Sequence, residues 1–133
     1  KPGGILAFST WPKELFMGKF FKLIESFSQP LSPGVASPVL WGDMAVIEDR
    51  LKDHFDQIEF GRDTMFAPTM SPAHMLKLFE KNAGPLANLV KALANDPTKL
   101  SNLRNAALEL IENFFSNNFL RQDFLMTRCI KKV

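Results

Sequence analysis

The sequence has no tyrosine, one cysteine, two histidines, almost no net charge and no long hydrophobic run. Each shortage removes a class of protein. A lone Cys129 cannot close an internal disulfide, so no covalent staple holds the fold and the compartment reads as cytoplasmic. No apolar stretch approaches the roughly 20 residues of a membrane-spanning helix, so a membrane protein is not expected. The first residues carry no charged-then-apolar signal pattern. Sixteen basic against fourteen acidic side chains leave a net charge of +2, too little to argue for nucleic acid. His54 and His74 have no second His, Cys or carboxylate at a ligand spacing, so no metal site is expected. Without tyrosine, only Trp11 and Trp41 offer a hydrogen-bond donor on an aromatic ring.

What is present is the material of one globular domain. The chain has 133 residues, 46% of them hydrophobic and 23% charged, with thirteen phenylalanines. Lys1-Pro2-Gly3-Gly4 reads as a tight turn feeding a short apolar strand, Ile5 to Ser9. The run is continuous, which predicts burial on both faces and therefore neighbours on both sides. Nothing upstream supplies them, so residues 1–133 read as one partial domain, the C-terminal part of a larger protein.

Thr10 is placed to cap a helix with Pro12 at its first position and Glu14 in its first turn. That helix carries Phe16, Met17, Phe20, Phe21, Ile24 and Phe27 against Lys13, Lys19 and Lys22. A loop with three prolines follows, from Gln29 to Pro38. Asp43 caps a second helix through Ile47 and Leu51. Alternation predicts a strand from Gln57 to Ala67, with Gly61 marking a bulge or a close backbone approach. Three helices are expected next, opened by Ser71-Pro72, Pro85 and Asp96-Pro97, and Asn117-Asn118 is expected to end the last. A closing strand runs from about Gln122 to Ile130, with Cys129 an inert core thiol. Residues 68–117 thus form a helical insertion before the last strand.

Three strands so far apart make a poor sheet alone but one side of a larger α/β sheet (α+β as a fragment). At this point the residues resemble a family. Lys1-Pro2-Gly3-Gly4 with its strand resembles the turn and fifth strand of class I S-adenosylmethionine-dependent methyltransferases. Phe8-Ser9-Thr10-Trp11-Pro12, Leu40-Trp41-Gly42-Asp43, Arg62 and the closing Arg121-Gln122-Asp123-Phe124-Leu125-Met126-Thr127-Arg128 look similar to the ubiquinone/menaquinone-type subgroup, the methyltransferase type 11 group. The resemblance implies a Rossmann-like sheet in which the chain supplies strands five to seven, the last antiparallel and slotted between five and six.

It also implies S-adenosylmethionine as the parent's cofactor. The glycine-rich loop after strand one and the acidic end of strand two are absent here. No cofactor residue can be carried over, and the chain alone is expected to bind no cofactor and to be inactive.

Ligands of open α/β sheets sit beyond the carboxyl ends of the strands. The candidate lining is therefore Trp11, Phe16, Met17, Phe20, Trp41, Arg62, Phe66 and Met70, suited to a lipophilic or aromatic small-molecule methyl acceptor. No catalytic residue is assigned. Methyl transfer from a sulfonium draws on proximity and alignment more than on acid–base groups. Arg62 and Arg121 either ion-pair across the sheet or point at a substrate carboxylate.

Two other functions fit the same residues. The Phe-rich face of residues 13–28 suits a non-catalytic module that captures a partner helix, and with its lysines it also suits a membrane surface. An exposed strand edge predicts self-association.

Overall fold

The computed structural model describes residues 1–30 and 32–133, so Leu31, within the proline-rich loop, lies outside the described residues. Chain order is β1 (Ile5–Thr10), α1 (Phe16–Phe27), a 3-10 turn (Pro38–Gly42), α2 (Met44–Leu51), β2 (Phe55–Pro68), α3 (Pro72–Asn82), α4 (Gly84–Ala92), α5 (Pro97–Glu112), β3 (Phe115–Ser116) and β4 (Phe119–Lys131). The fold is mixed α/β, with a four-stranded antiparallel sheet and five helices among the described residues.

β4 is the centre of that sheet. It pairs antiparallel with β2 from Phe119 to Lys131, and on its other edge with β3 and then β1. β1 and β2 therefore run parallel to each other with β4 reversed between them. Cross-strand partners share a face. Phe8, Phe60 and Thr127 accordingly point one way with Leu125 and Cys129, while Ile5, Met65, Met126 and Ile130 point the other.

α2 covers the first face. Its Ile47 and Leu51 close over Leu125, Cys129, Phe8, Phe55, Ile58 and Phe60. The larger core lies at the end of the sheet, where α1, α3, α4 and α5 gather around Leu120 and Ala67. Phe16 and Phe20 are its middle, with ring centroids 5.6 Å apart and Phe79 at 6.1 and 5.0 Å from them. The rest of the second face, with Ile5, Ala7, Met65 and Met126, is open to solvent.

Several expectations are corrected. β1 is an edge strand with Ile5 62% exposed; it is not buried on both faces, because β4 is its single neighbour among the described residues. Thr10 caps no helix. It ends β1, and α1 starts six residues beyond it, after a Leu15 N-cap without a side-chain hydrogen bond. The bulge in β2 falls between Asp56 and Glu59, where Gln57 takes a positive φ of 48°; Gly61 pairs in register with Met126. Asn117-Asn118 does not end α5, which stops at Glu112. With φ of 48° and 62° these two residues form the two-residue turn of the β3–β4 hairpin, a conformation asparagine tolerates. β4 consequently starts at Phe119, three residues before the expected Gln122.

The caps at Asp43, Ser71 and Asp96 are as expected, each side chain accepting from a backbone N–H in the first turn.

Candidate functional site

A tight corner follows β1. Pro12 is fully buried, and two glycines press against the Trp11–Lys13 backbone from different elements. A Cβ on Gly42 would overlap the Trp11 carbonyl oxygen and lie 2.6 Å from its carbon; one on Gly18 would lie 2.8 Å from the Lys13 carbonyl carbon. Real Cβ atoms do not approach below 3.0 Å. The chain therefore turns at Trp11-Pro12 only because the 3-10 turn and α1 both present hydrogen where other residues carry carbon.

The corner sets up a cleft of about 630 Å³ between the start of α1, the start of α2 and the middle of β2. Its walls are charged. Lys13 Nζ donates to Asp43 Oδ2 at 2.7 Å, and Arg62 Nη2 donates to Glu14 Oε1 at 3.0 Å, with Glu48 beside them. The hydrogen bond from Lys13 holds the Asp43 carboxyl below its ordinary value, and the same bond raises the Lys13 ammonium. Asp43 also caps α2 through Ala45 N–H, so one carboxylate fixes both the helix start and the lysine.

Arg62 belongs as well to a second cleft of about 350 Å³ with Thr64, Arg121 and Asp123. Thr64 and Asp123 are cross-strand partners on one face, and Arg121 stands two residues from Asp123 on that same face. Asp123 Oδ1 accepts from Thr64 Oγ1 at 2.6 Å and from Arg121 Nη2 at 2.8 Å. Burial alone would push the Asp123 carboxyl up, but these donors outweigh it and hold it below the ordinary carboxylate range. Neither arginine bridges to the other; each is matched by its own carboxylate.

The eight candidate residues do not gather in one place. Phe16, Phe20 and Met17 fill or flank the helical core. Phe66 lies against Phe119 at the far end of β2 with ring centroids 6.3 Å apart, and Met70 stands 74% exposed just beyond. Trp41 packs edge-on against Phe8 at 5.9 Å and carries Arg50 over its ring at 4.5 Å. Trp11 supplies the backbone of the corner, and Arg62 alone lines the larger cleft.

Lys13, Glu14, Asp43 and Glu48 were not legible as site residues, because sequence shows them as caps and helix-face charges. The one available signal was Gly18, an isolated glycine inside a helical pattern, which calls for a packing reason. His74 is tied to Thr69 at 2.8 Å, a link that holds the strand exit to α3. Among the described residues, no group of three His, Cys, Asp or Glu side chains is placed to hold a metal ion. Likewise no described helix is long and apolar enough to cross a membrane. The cleft offers fixed charges and shape, and no histidine for proton transfer.

No protein-family model matches the chain. It is similar to uncharacterized proteins of Mycobacterium bovis and of Mycobacterium tuberculosis strains CDC 1551 and H37Rv. Each is 20% identical over 133 residues, which cover 99% of this chain and 48% of the relative. The chain thus spans about half the length of the curated relatives it matches.

Proposed function

We propose that this chain is the substrate-side, C-terminal portion of an S-adenosylmethionine-dependent methyltransferase. One observation carries the reading: the strand order β1-β4-β2, in which the last strand runs antiparallel between two parallel ones. The same order is that of the family's fifth, seventh and sixth strands. The length of the mycobacterial relatives, about twice the matched segment, leaves room for a cofactor-binding half.

In this reading the Trp11-Pro12 corner and the charged cleft lie beyond the carboxyl end of β1, where such sheets bind ligands. The cleft encloses the methyl acceptor and excludes water, while S-adenosylmethionine is held by residues outside this chain. Transfer then depends on alignment of acceptor and sulfonium. The charged walls favour an acceptor whose lipophilic or aromatic body carries a polar group able to share the Glu14–Arg62 pair.

The alternative partner-helix module loses support, since the Phe16 and Phe20 face of α1 is already filled by α3 and α5.

The test is isothermal titration with S-adenosylmethionine. This chain alone is expected to give no binding heat. The gene product that carries this segment behind an N-terminal extension is expected to bind in the micromolar range. Binding by the chain alone, or none by the longer protein, would overturn the reading.

A further inference from the structure

Among the described residues, Arg62 alone lines both clefts, the larger of about 630 Å³ and the smaller of about 350 Å³. Both volumes fall in the range of small-molecule sites, about 300–1,000 Å³.

Strand register brings a second guanidinium to the smaller cleft. Thr64 and Asp123 are cross-strand partners; Arg62 stands two residues before Thr64 on β2, and Arg121 two residues before Asp123 on β4. Because the strands are antiparallel, the two arginines flank that pair from opposite ends of one face. Their side chains are 51% and 59% exposed, over an Asp123 side chain that is 10% exposed. Asp63 belongs by register to the other face, and its Oδ1 accepts from Thr64 N–H at 2.7 Å. The cleft therefore presents donors to solvent and keeps its acceptor beneath them.

Those donors are only partly used. A guanidinium carries five N–H groups. Arg62 commits Nη2 to Glu14 Oε1 at 3.0 Å, and Arg121 directs Nε and Nη2 at one oxygen, Asp123 Oδ1, at 3.0 and 2.8 Å. The Glu14–Arg62 pair is exposed on both sides, and pairs of that kind hold weakly. Glu14 sits on the turn before α1, whose N-cap Leu15 makes no side-chain hydrogen bond. Its carboxylate can leave Arg62 without breaking a helix cap.

We propose that the smaller cleft binds a carboxylate of the methyl acceptor, which takes the place of Glu14 on Arg62 and reaches Arg121 across the Thr64–Asp123 pair. Glu14 and Asp123 show what these arginines hold, since each already binds a carboxylate through charge-assisted hydrogen bonds. Arg62 then ties that carboxylate to a body lying over Met44 and Ala45 in the larger cleft. The acceptor is thus a small organic acid. Its role in methyl transfer rests on the methyltransferase reading; the binding itself does not.

Nuclear magnetic resonance of the arginine Nε–H signals in the 133-residue chain, titrated with benzoate, tests the site without S-adenosylmethionine. Benzoate is expected to shift the Arg62 and Arg121 signals at millimolar concentration. Neutral benzamide is expected to bind roughly tenfold more weakly, for want of a charge-assisted pairing. Glu14→Gln removes the competing carboxylate and is expected to tighten benzoate roughly threefold, within what an exposed pair contributes. Arg62→Gln is expected to abolish the response while the circular dichroism spectrum is unchanged. Silent arginine signals, equal binding of benzamide, or an unchanged affinity in Glu14→Gln would each overturn the proposal. Inorganic phosphate binding more tightly than benzoate would overturn it as well, since the site would then take a phosphoryl group. A failed S-adenosylmethionine titration of the longer protein, beside a positive benzoate titration here, would remove the acceptor role and leave the carboxylate site standing.

Discussion

Gly42→Ala is expected to destabilise the protein by about 3 kcal/mol, although it adds one methyl group to a residue already conformed for alanine. Gly42 is not among the residues with positive φ, so backbone strain contributes nothing. The cost is space. The new Cβ meets the Trp11 carbonyl group and, at 2.9 Å, the Pro12 Cα, where 3.4 Å or more is ordinary contact. Both obstacles are backbone, and Pro12 is buried against α1, so no side chain can rotate away. Overpacking of this kind typically costs 1–3 kcal/mol, and two backbone overlaps place it at the upper end.

For a domain of this size about 3 kcal/mol lowers the melting temperature by roughly 10 °C. Gly61→Ala is the internal control, because its Cβ meets nothing within 4 Å. A glycine inside a strand costs about 0.5–1 kcal/mol relative to alanine, so that variant is expected to gain stability. Thermal and urea unfolding followed by circular dichroism give both values. If Gly42→Ala unfolds within 0.5 kcal/mol of the parent, or if Gly61→Ala loses as much, the packed corner is not what positions the cleft.

Phe16→Ala, which empties the fully buried centre of the helical core, is expected to cost about 3–5 kcal/mol in urea unfolding; a loss under about 1 kcal/mol would place Phe16 on a surface and revive the partner-helix reading. Asp123 predicts the acid limb of the stability curve. Its folded carboxyl lies below its ordinary value of 3.8, so the folded state binds the proton more weakly than the unfolded state does. That contribution is complete above the unfolded value and is lost as pH falls through the folded one. Asp123→Asn is expected to flatten the decline below about pH 4, and an unchanged slope would show that the Thr64 and Arg121 hydrogen bonds do not favour the ionised form.

Local signals were read well where one residue type has one mechanical use. Asp43, Ser71 and Asp96 cap helices because each sits before a first turn, followed directly by a proline at Ser71 and Asp96, and their oxygens reach free N–H groups. Leu125, Thr127 and Cys129 alternate with Met126 and Arg128, and the buried and open faces of β4 follow that alternation. Misreadings arose where two uses compete. Thr10 before Pro12 has the grammar of a cap, but strand pairing with Leu125 claims it first. Asn117-Asn118 can end a helix or turn a hairpin, and only the pairing of Ser116 with Phe119 decides. The candidate site was the least legible part, because aromatic residues at helical spacing describe a core as well as a pocket. Phe16, Met17 and Phe20 are core.

The uneven covering of the sheet explains that last difficulty. An antiparallel sheet can leave one face to water, and this one has α2 on one face and little beyond Leu120 and Ala67 on the other. Ile5 and Met126 stand exposed on that open face. Trp41, Phe66 and Met70 are likewise exposed, each on a different border of the fold. A pocket formed along such borders would draw its remaining wall from whatever packs beside β1, so its residues cannot converge within these elements alone. Lys13, Asp43 and Arg62 differ: ion pairs and the Trp11-Pro12 corner fix them within this chain. They are therefore the part of a ligand site these residues can hold ready by themselves, and substitutions at Arg62 test function with little confusion from folding, since an exposed pair such as Glu14–Arg62 contributes about 0–1 kcal/mol to stability.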